Sequence, residues 1–439
     1  MAHIQSMPAA QARAKPLNVG RLLTWSLFAI VLIVAPLAFK SSLALTMLSQ
    51  MGYLIIICLS YNILLGQGGM LSFGHAVYVG LGSFIAIHAM NLASKDGWPI
   101  PLTLIPLVGG LGGMFFAVLL GFVTTKKSGT TFAMITLGIG ELVASMALMF
   151  PGFFGGEGGI TTDRVYGKPF LGISFGPQIQ VYYLIAVYCF ICTALMFAFT
   201  GTPLGRMLNA VRDNPERVEF IGYNTQRVRY FAFIIAGFFA GIGGGLASIN
   251  FEIVNAADSL NSFRSGSYLL FTFLGGAVFF FGPMIGAVLL VFAAVLLSEL
   301  TKAWQLYFGL VFVFMVMFAP GGIASLIMMN LRLARFGKFQ RFWGLYAGLL
   351  VALVPVVIGA AALIEMIYHI QLNAALGPVL PFMGVSLDTS AAGTWVAAAA
   401  VFAVGFALLE VMRRRFVRTW GRAQEEIEAD LKRLKAEAA

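Results

Sequence analysis

Apolar residues dominate the chain in runs of about bilayer length, separated by short polar connections. A membrane-spanning helix needs about 20 mostly apolar residues, and twelve stretches approach that length. They are 22–39, 43–64, 70–90, 102–123, 131–149, 181–199, 230–249, 266–281, 284–300, 304–320, 343–366 and 393–412. Glycine and polar residues in 70–90 and 266–281 make those two candidates for broken or re-entrant helices. The pattern predicts an all-α polytopic membrane protein with about 10–12 transmembrane helices.

Composition supports the same class of protein. Of the 439 residues, 59% are hydrophobic and 10% are charged, and the mean hydropathy is +0.89. Soluble domains carry about 25% charged residues, so a soluble fold is excluded. The net charge of +10 is typical of retention at an anionic inner leaflet and contact with membrane lipids. We expect no nucleic-acid partner.

The distribution of Lys and Arg predicts the orientation, because these residues are retained on the cytoplasmic side. Twelve crossings that start with the N-terminus inside place 22 of the 28 Lys and Arg in the cytoplasm. The reversed orientation would place the same 22 outside. We therefore expect both termini to be cytoplasmic, with residues 1–21 as an N-terminal segment and 150–180 as a periplasmic loop.

The stretch "YNILLGQGGMLSFGHAVYVGLG", residues 61–82, combines glycines with hydrogen-bonding side chains inside an apolar run. Helix breaks at membrane depth are tolerated where the freed backbone lines a cavity or packs against protein. The first interpretation predicts a translocation route lined by Asn62, Gln67, Gly68, Gly69, Ser72 and His75. The second is close helix packing through small residues, at Gly66, Gly69, Gly74, Gly80 and Gly82.

Two further features allow the same two interpretations, lining of a translocation route or structural packing and pairing. The second glycine cluster contains Gly275 and Gly276 and continues to Gly286. Glu141 is the one ionisable residue in the stretch 131–149, and an acid at membrane depth is costly unless it is paired or faces water. Glu141 could contact a substrate ammonium group or pair with a polar neighbour.

The polar segment 201–229 predicts two short helices that meet at a corner. Thr202 before Pro203 and Asn214 before Pro215 are N-caps followed by proline at the first helical position, and Gly222 is a candidate C-terminal cap. A rigid charged knob of this kind suits docking to a soluble partner. An amphipathic turn lying on the inner leaflet is the alternative.

Four collinear stretches resemble one transporter family. They are "GRMLNAVRDNPERVEFIGYN" at 205–224, "GQGGMLSFGHAVYVGLGS" at 66–83, "GTTFAMITLGIGEL" at 129–142 with "GGEGGI" at 155–160, and "FLGGAVFFFGPMIGA" at 273–287 with "APGGIASL" at 319–326. Over about residues 20–330 the chain resembles the membrane permeases of bacterial branched-chain amino-acid ABC importers. It is most similar to the second of that family's two paired permeases.

The resemblance implies a permease subunit in the bacterial inner membrane. Its substrates would be branched-chain amino acids or similar small amphipathic solutes such as amides, urea or aromatic carboxylates. Its partners would be a second permease in a hetero- or homodimer, two ATP-binding subunits and a periplasmic substrate-binding protein. The segment 201–229 would couple it to the ATPase through Gly205, Arg206, Ala210, Arg212, Asp213, Asn214, Arg217 and Gly222.

The chain lacks the sequence motif that it would need to bind and hydrolyse ATP itself. No G-x-x-x-x-G-K-[ST] loop occurs in the sequence, and that loop is what holds nucleotide phosphates. We therefore expect no catalytic residues, no metal and no cofactor, with ATP hydrolysed by other chains. The alternative function is an ion-coupled secondary transporter, for which Glu141 would be the proton-relaying acid. A channel would need repeated polar filter groups, and no such repeat is present.

The chain also departs from the family. Arg217 and Phe220 stand where the family's coupling loop usually has small residues, so we expect the docking surface to be specialised for its own ATPase. The family typically ends near residue 330. An extension follows here, with two more spans over 331–412 and a charged tail over 413–439. The tail repeats apolar residues at Ile427, Leu431 and Leu434, which predicts a cytoplasmic helix with a narrow apolar stripe.

Overall fold

The computed structural model describes residues 19–95, 97–166, 174–337, 339–372 and 377–437. Most of residues 1–21 and part of the loop 150–180 therefore lie outside the described residues, as do the side chains of Leu431 and Leu434. The chain forms two compact units, residues 1–269 and 270–439. The fold is all-α apart from two small antiparallel sheets, and this confirms the predicted class.

The long helices of the first unit follow the apolar runs, and short helices lie in the connections between them. They are α1 (Val19–Ala38), α2 (Ser42–Asn62), α3 (His75–Lys95), α4 (Ile105–Thr124), α5 (Gly129–Met149), α6 (Pro151–Phe154), α7 (Gln178–Gly201), α8 (Pro203–Asp213), α9 (Pro215–Phe220), α10 (Thr225–Phe251), α11 (Ala256–Ser259) and α12 (Ser262–Gly275). The unit boundary falls inside α12. Strand β1 (Ile160–Thr161) pairs with β2 (Ile253–Val254) in an antiparallel register.

The second unit continues with six helices and a hairpin in its described part. The helices are α13 (Gly282–Val291), α14 (Ser298–Leu300), α15 (Trp304–Phe318), α16 (Gly322–Arg335), α17 (Trp343–Leu372) and, after the hairpin, α18 (Ala392–Glu437). A π-helical segment, Phe292–Leu297, joins α13 to α14. Strands β3 (Val379–Phe382) and β4 (Val385–Asp388) form the hairpin between α17 and α18.

Ten of the described helical segments are long and apolar enough to cross a bilayer, and the bent pair α15 and α16 makes an eleventh. The predicted span 266–281 is wrong in its bounds. Its helix, α12, covers Ser262–Gly275, which is 14 residues or about 21 Å, shorter than the hydrocarbon core. Gly276 has a φ of +116° and ends the helix.

Glycines hold the centre of the first unit together. The helices α3, α4 and α10 cross at Gly82, Gly109 and Gly241, and a Cβ added to Gly82 would lie 2.6 Å from the Cα of Gly241. Small residues let helix backbones approach in this way. The long helix α10 is buried along most of its length, so it forms the core on which the other helices pack.

Candidate functional site

The glycine-rich stretch connects two helices. After Asn62 the helix α2 loosens into one π-helical turn, Ile63–Gln67, and Gly69 then takes a left-handed φ of +63°. Helix α3 begins only at His75. The predicted span 70–90 is therefore wrong at its start, because residues 70–74 form the connection and α3 runs to Lys95.

Segment 201–229 folds into the predicted pair of short helices. The Thr202 hydroxyl accepts a hydrogen bond from the Gly205 amide at 3.2 Å, and the Asn214 side chain accepts one from the Arg217 amide at 3.0 Å. Gly222 has a φ of +87° and lies just past the end of α9. The three cap predictions for this segment are confirmed.

The glycine-rich stretch 61–82 and the segment 201–229 lie against each other. Arg212 of α8 donates a 2.5 Å hydrogen bond to the Gly66 carbonyl, and Asn209 donates one of 2.8 Å to the Gln67 side chain. A Cβ added to Gly69 would lie 2.7 Å from the Arg212 Cγ, and one added to Gly68 would lie 3.2 Å from the Leu208 Cδ1. The glycines therefore leave room for α8 at the end of α2. We call residues 66–76 the linking segment.

The linking segment leads into a buried polar cluster. The Tyr61 hydroxyl donates to the Ser72 carbonyl at 2.8 Å, and His75 Nε2 lies 2.9 Å from the Ser60 hydroxyl. Three buried atoms of this cluster have no partner among the described residues: Asn62 Oδ1, Ser72 Oγ and His75 Nδ1. Each leaves a hydrogen-bonding group free inside the unit, which is costly without a water or a ligand.

In this conformation these side chains do not reach the surface of the chain. Ser72 and His75 are fully buried and Asn62 is 2% exposed, whereas Gln67 is partly exposed where it meets α8. A solute on the surface of this chain therefore contacts none of the three buried groups.

The linking segment also bonds to two membrane helices. The Phe73 amide donates to the Thr136 hydroxyl of α5 at 3.1 Å, and the Ala76 amide donates to the Ser265 hydroxyl of α12 at 2.9 Å. Gly74 packs directly on the Thr136 carbonyl. The segment thus joins α8 to α5 and α12.

Glu141 lies on an exposed face of α5 together with Gly138, three residues before it, and Ser145, four residues after it. Its carboxylate accepts a short hydrogen bond from the Ser262 hydroxyl at the start of α12. The structure therefore provides the polar neighbour, and it leaves the rest of the carboxylate accessible.

Gly275 and Gly276 belong to a junction of backbones in the second unit. Gly275 packs on the Gly282 carbonyl, and a Cβ on Gly276 would lie 2.6 Å from the Gly321 carbonyl oxygen. Gly322, with a φ of +69°, would place its Cβ 2.5 Å from the Gly276 Cα. The packing interpretation accounts for these contacts, which join α12, α13 and the bend between α15 and α16.

The described part of the loop 150–180 is folded. Strand β1 pairs with β2, His88 Nε2 lies 2.8 Å from the Phe153 carbonyl, and Arg164 forms an ion pair with Glu252 at 3.6 Å. Residues 150–166 therefore cover the ends of α3 and α10 that lie away from α8.

Several residues of this site were not predicted. Asn209, Thr136, Ser265 and Ser262 each bond to a predicted residue or to the linking segment. Single hydroxyls and amides on apolar helices are common, and only the fold shows which of them meet.

Comparison with known proteins identifies the family of the chain. Residues 43–320 match the family described as branched-chain amino acid transport system / permease component. The chain is 26% identical over 300 residues to the high-affinity branched-chain amino acid transport system permease protein LivM of Escherichia coli (strain K12), covering 64% of this chain and 69% of the relative. The LivM of Salmonella typhimurium (strain LT2) gives the same identity and coverage. No solved structure matches the chain. The chain belongs to the branched-chain amino acid transport system permease family and is a multi-pass membrane permease of the ABC transporter class.

Proposed function

We propose that this permease forms the translocation path of an ATP-driven importer and that α8 and α9 couple it to separate ATP-binding subunits. Its substrates would be branched-chain amino acids or related small amphipathic solutes, including amides, urea and aromatic carboxylates. The observation that carries the proposal is the contact of α8 with the linking segment through Arg212 and Asn209.

That contact gives a mechanical route from the ATPase to the membrane helices. A movement of α8 pulls on the Gly66 carbonyl and the Gln67 side chain, and the same segment bonds Thr136 of α5 and Ser265 of α12. Packed elements transmit such shifts because they deform little. The α5 and α12 helices would therefore move with α8.

The end of α9 and the connection to α10 expose apolar side chains, which a partner protein could cover. Phe220 is 88% exposed and Ile221 is 66% exposed, and Arg217 stands beside them. We propose that this tip inserts into an ATP-binding subunit. The end of the bundle that carries α8 and α9 would then face the cytoplasm, with both termini on that side.

The exposed polar face of α5 is our candidate for the wall of the path. Glu141 and Ser145 would be costly against lipid, so we propose that this face is turned toward a second permease subunit. The buried set Asn62, Ser72 and His75 would then support the path from behind, through the linking segment. Residues 150–166, at the opposite end from α8, would receive a periplasmic substrate-binding protein.

Two arginines of α8 provide the test. Arg212 is bonded to the linking segment, whereas the side chain of Arg206 is exposed and makes no hydrogen bond or ion pair in the described structure. We expect Arg212→Glu to retain the ATP-binding subunits but to lower ATP-driven uptake at least tenfold. Arg206→Glu should instead weaken co-purification of those subunits.

The measurements are co-purification, ATPase rate and uptake into proteoliposomes that contain all subunits, with the binding protein on the outside. Uptake by both variants at the wild-type rate would contradict the coupling role of α8. Uptake driven by an ion gradient without ATP would instead support the alternative, an ion-coupled secondary transporter.

A further inference from the structure

A cavity of about 690 Å³ opens at the end of the first unit that carries α8 and α9. It lies between the first turns of α5 and α10 and the connection after α9. The polar residues that define it are Lys126, Lys127, Ser128, Glu219, Asn224 and Arg229. None of them takes part in the contacts between α8 and the linking segment.

The cavity carries an excess of positive charge. Lys126, Lys127 and Arg229 line it together with a single carboxylate, that of Glu219. Glu219 already accepts a 2.8 Å hydrogen bond from the Thr225 hydroxyl. Two positive charges therefore remain without a balancing group in the lining.

Arg229 is the unusual member of this set, since it is a charged side chain that is only 7% exposed. Within the described residues its guanidinium makes no hydrogen bond and no ion pair within 4 Å, and Glu219 attracts it only from a longer distance. Its five N–H donors have no partner in the described protein, and such donors on a mostly buried side chain are costly unless water or another acceptor reaches them. The remaining opening of Arg229 is into the cavity.

The start of α5 adds backbone donors to the same place. Ser128 stands at the N-cap position of this 21-residue helix but makes no capping hydrogen bond. The first amides of a helix have no partner within the helix, and together with the helix dipole they favour a negative group. Phosphate oxygens accept hydrogen bonds from amides, ammonium groups and guanidinium groups alike.

We propose that this cavity binds the phosphate of an anionic phospholipid headgroup. The position of Lys126 favours a lipid over a free phosphate. Its ammonium lies 4.8 Å from the centre of the Phe122 ring, and Phe122 is 55% exposed on the spanning helix α4. The basic cavity is thus continuous with an apolar membrane-facing surface, on which acyl chains can lie.

A bound headgroup would also touch the coupling element. Glu219, Gly222 and Tyr223 line the cavity, and they stand at the end of α9 and in the connection to α10. The lipid would therefore order the docking tip from its membrane side. This consequence depends on the proposed function, whereas binding of the lipid does not.

The test uses the full-length chain in nanodiscs of phosphatidylcholine with and without phosphatidylglycerol. The double variant Lys126→Gln/Lys127→Gln removes two exposed charges from the cavity without altering a buried residue. Arg227→Gln is the matched control, because Arg227 is exposed in the first turn of α10 but does not line the cavity. Bound phosphatidylglycerol is counted by native mass spectrometry, and the melting temperature is measured in each nanodisc.

We expect phosphatidylglycerol to bind the wild type and the Arg227→Gln control with similar affinity and to raise the melting temperature of both. The double variant should bind it about 30-fold more weakly, because each basic residue at an anionic surface contributes about fivefold. Equal binding by the double variant and the control would overturn the proposal.

Two further outcomes identify the source of the phosphate and the role of the lysines. Protection of the wild type in pure phosphatidylcholine by millimolar inorganic phosphate, equal to that from phosphatidylglycerol, would overturn the lipid assignment in favour of a free anion. Unchanged lipid binding with loss of the ATP-binding subunits would show a protein-docking surface and would also overturn it. Because binding is measured without transport, failure here leaves the proposed function untouched.

Discussion

At the scale of single residues, the glycines of this chain fall into two physical classes. Gly69 is needed for its conformation, since it has a left-handed φ of +63°, and also for the space that Arg212 occupies. Gly241 is needed for space alone, because its Cα packs on the Gly109 carbonyl with ordinary helical geometry. The first class serves the contact with α8, and the second serves the stability of the bundle.

Gly69→Leu tests the first class. A leucine there meets the Arg212 side chain. It must also adopt a left-handed backbone conformation, which costs about 1–2 kcal/mol. We expect uptake to fall at least tenfold while the protein still inserts and melts within a few degrees of the wild type. Gly97→Leu is the matched control, since Gly97 has a φ of +70° but no neighbour within 4 Å of an added Cβ. Equal uptake by both variants would show that the contact with α8 is not needed.

Glu141→Gln separates the two interpretations of the acid in α5. Glutamine keeps an oxygen that can accept the hydrogen bond from Ser262 but removes the negative charge. If the carboxylate contacts a substrate ammonium group, we expect uptake to fall at least tenfold with an unchanged melting temperature. Unchanged uptake would leave Glu141 with a structural pairing only, and Glu141→Leu would then be expected to lower the melting temperature.

At the scale of elements, the apolar runs predicted most of the helices and failed where their boundaries depend on tertiary contacts. Residues 70–74 are as apolar as the helix that follows, yet they bond to Thr136 and Tyr61 and leave the helical path. The end of α12 at Gly276 is likewise set by its approach to Gly321. Composition does not reveal which glycine meets another backbone.

The hairpin β3–β4 was not predicted for a different reason. Its turn consists of Met383 and Gly384, with φ of +48° and +85°, where a two-residue turn of this kind usually begins with Asn or Asp. The segment therefore gives a weak turn signal. Likewise, the contact between α8 and the linking segment joins residues about 145 positions apart, and a single sequence contains no direct sign of such a pairing.

Gly241→Val tests the central helix crossing. The added side chain would meet the Gly109 carbonyl and the Gly110 Cα, so α4 and α10 would have to separate. Overpacking of a core typically costs about 1–3 kcal/mol, and rigid backbone atoms cannot move aside cheaply. We expect a large loss of folded protein in membranes and a lower melting temperature. Gly138→Ala should have little effect on either measurement, because nothing lies within 4 Å of its added Cβ.

At the scale of the whole molecule, the added residues after 330 are an integrated part of the second unit. The Glu365 carboxylate of α17 accepts hydrogen bonds from Thr301 at 2.5 Å and from Tyr307 at 3.1 Å. Helices α17 and α18 cross closely at Gly359 and Gly405, where each glycine packs on the backbone of the other helix. The extension is therefore bonded to the end of the family-type region within the same unit.

The tail is also tied to the second unit. Helix α18 is continuous for 46 residues, and Ala423 and Ile427 are buried with Leu333 and Phe342 in one core cluster that Trp420 also contacts. Arg341 forms an ion pair with Glu426 at 3.1 Å. The sequence predicted a cytoplasmic helix with a narrow apolar stripe, and the first residue of that stripe, Ile427, is covered by the chain's own residues.

This arrangement places Ala423 and Ile427 in the folded core of the second unit. Ile427→Ala should lower the free energy of unfolding by about 2–5 kcal/mol, as truncations of buried aliphatic residues do. Deleting 430–439 removes none of the residues that the structure describes in that cluster, so we expect an unchanged melting temperature. If the distal tail docks on an ATP-binding subunit, as we propose, this deletion should reduce retention of that subunit during purification and lower the ATPase rate that depends on substrate. Wild-type retention and uptake after the deletion would limit the tail to packing within its own unit, whereas a lower melting temperature would mean that residues beyond Ala429 also belong to the core.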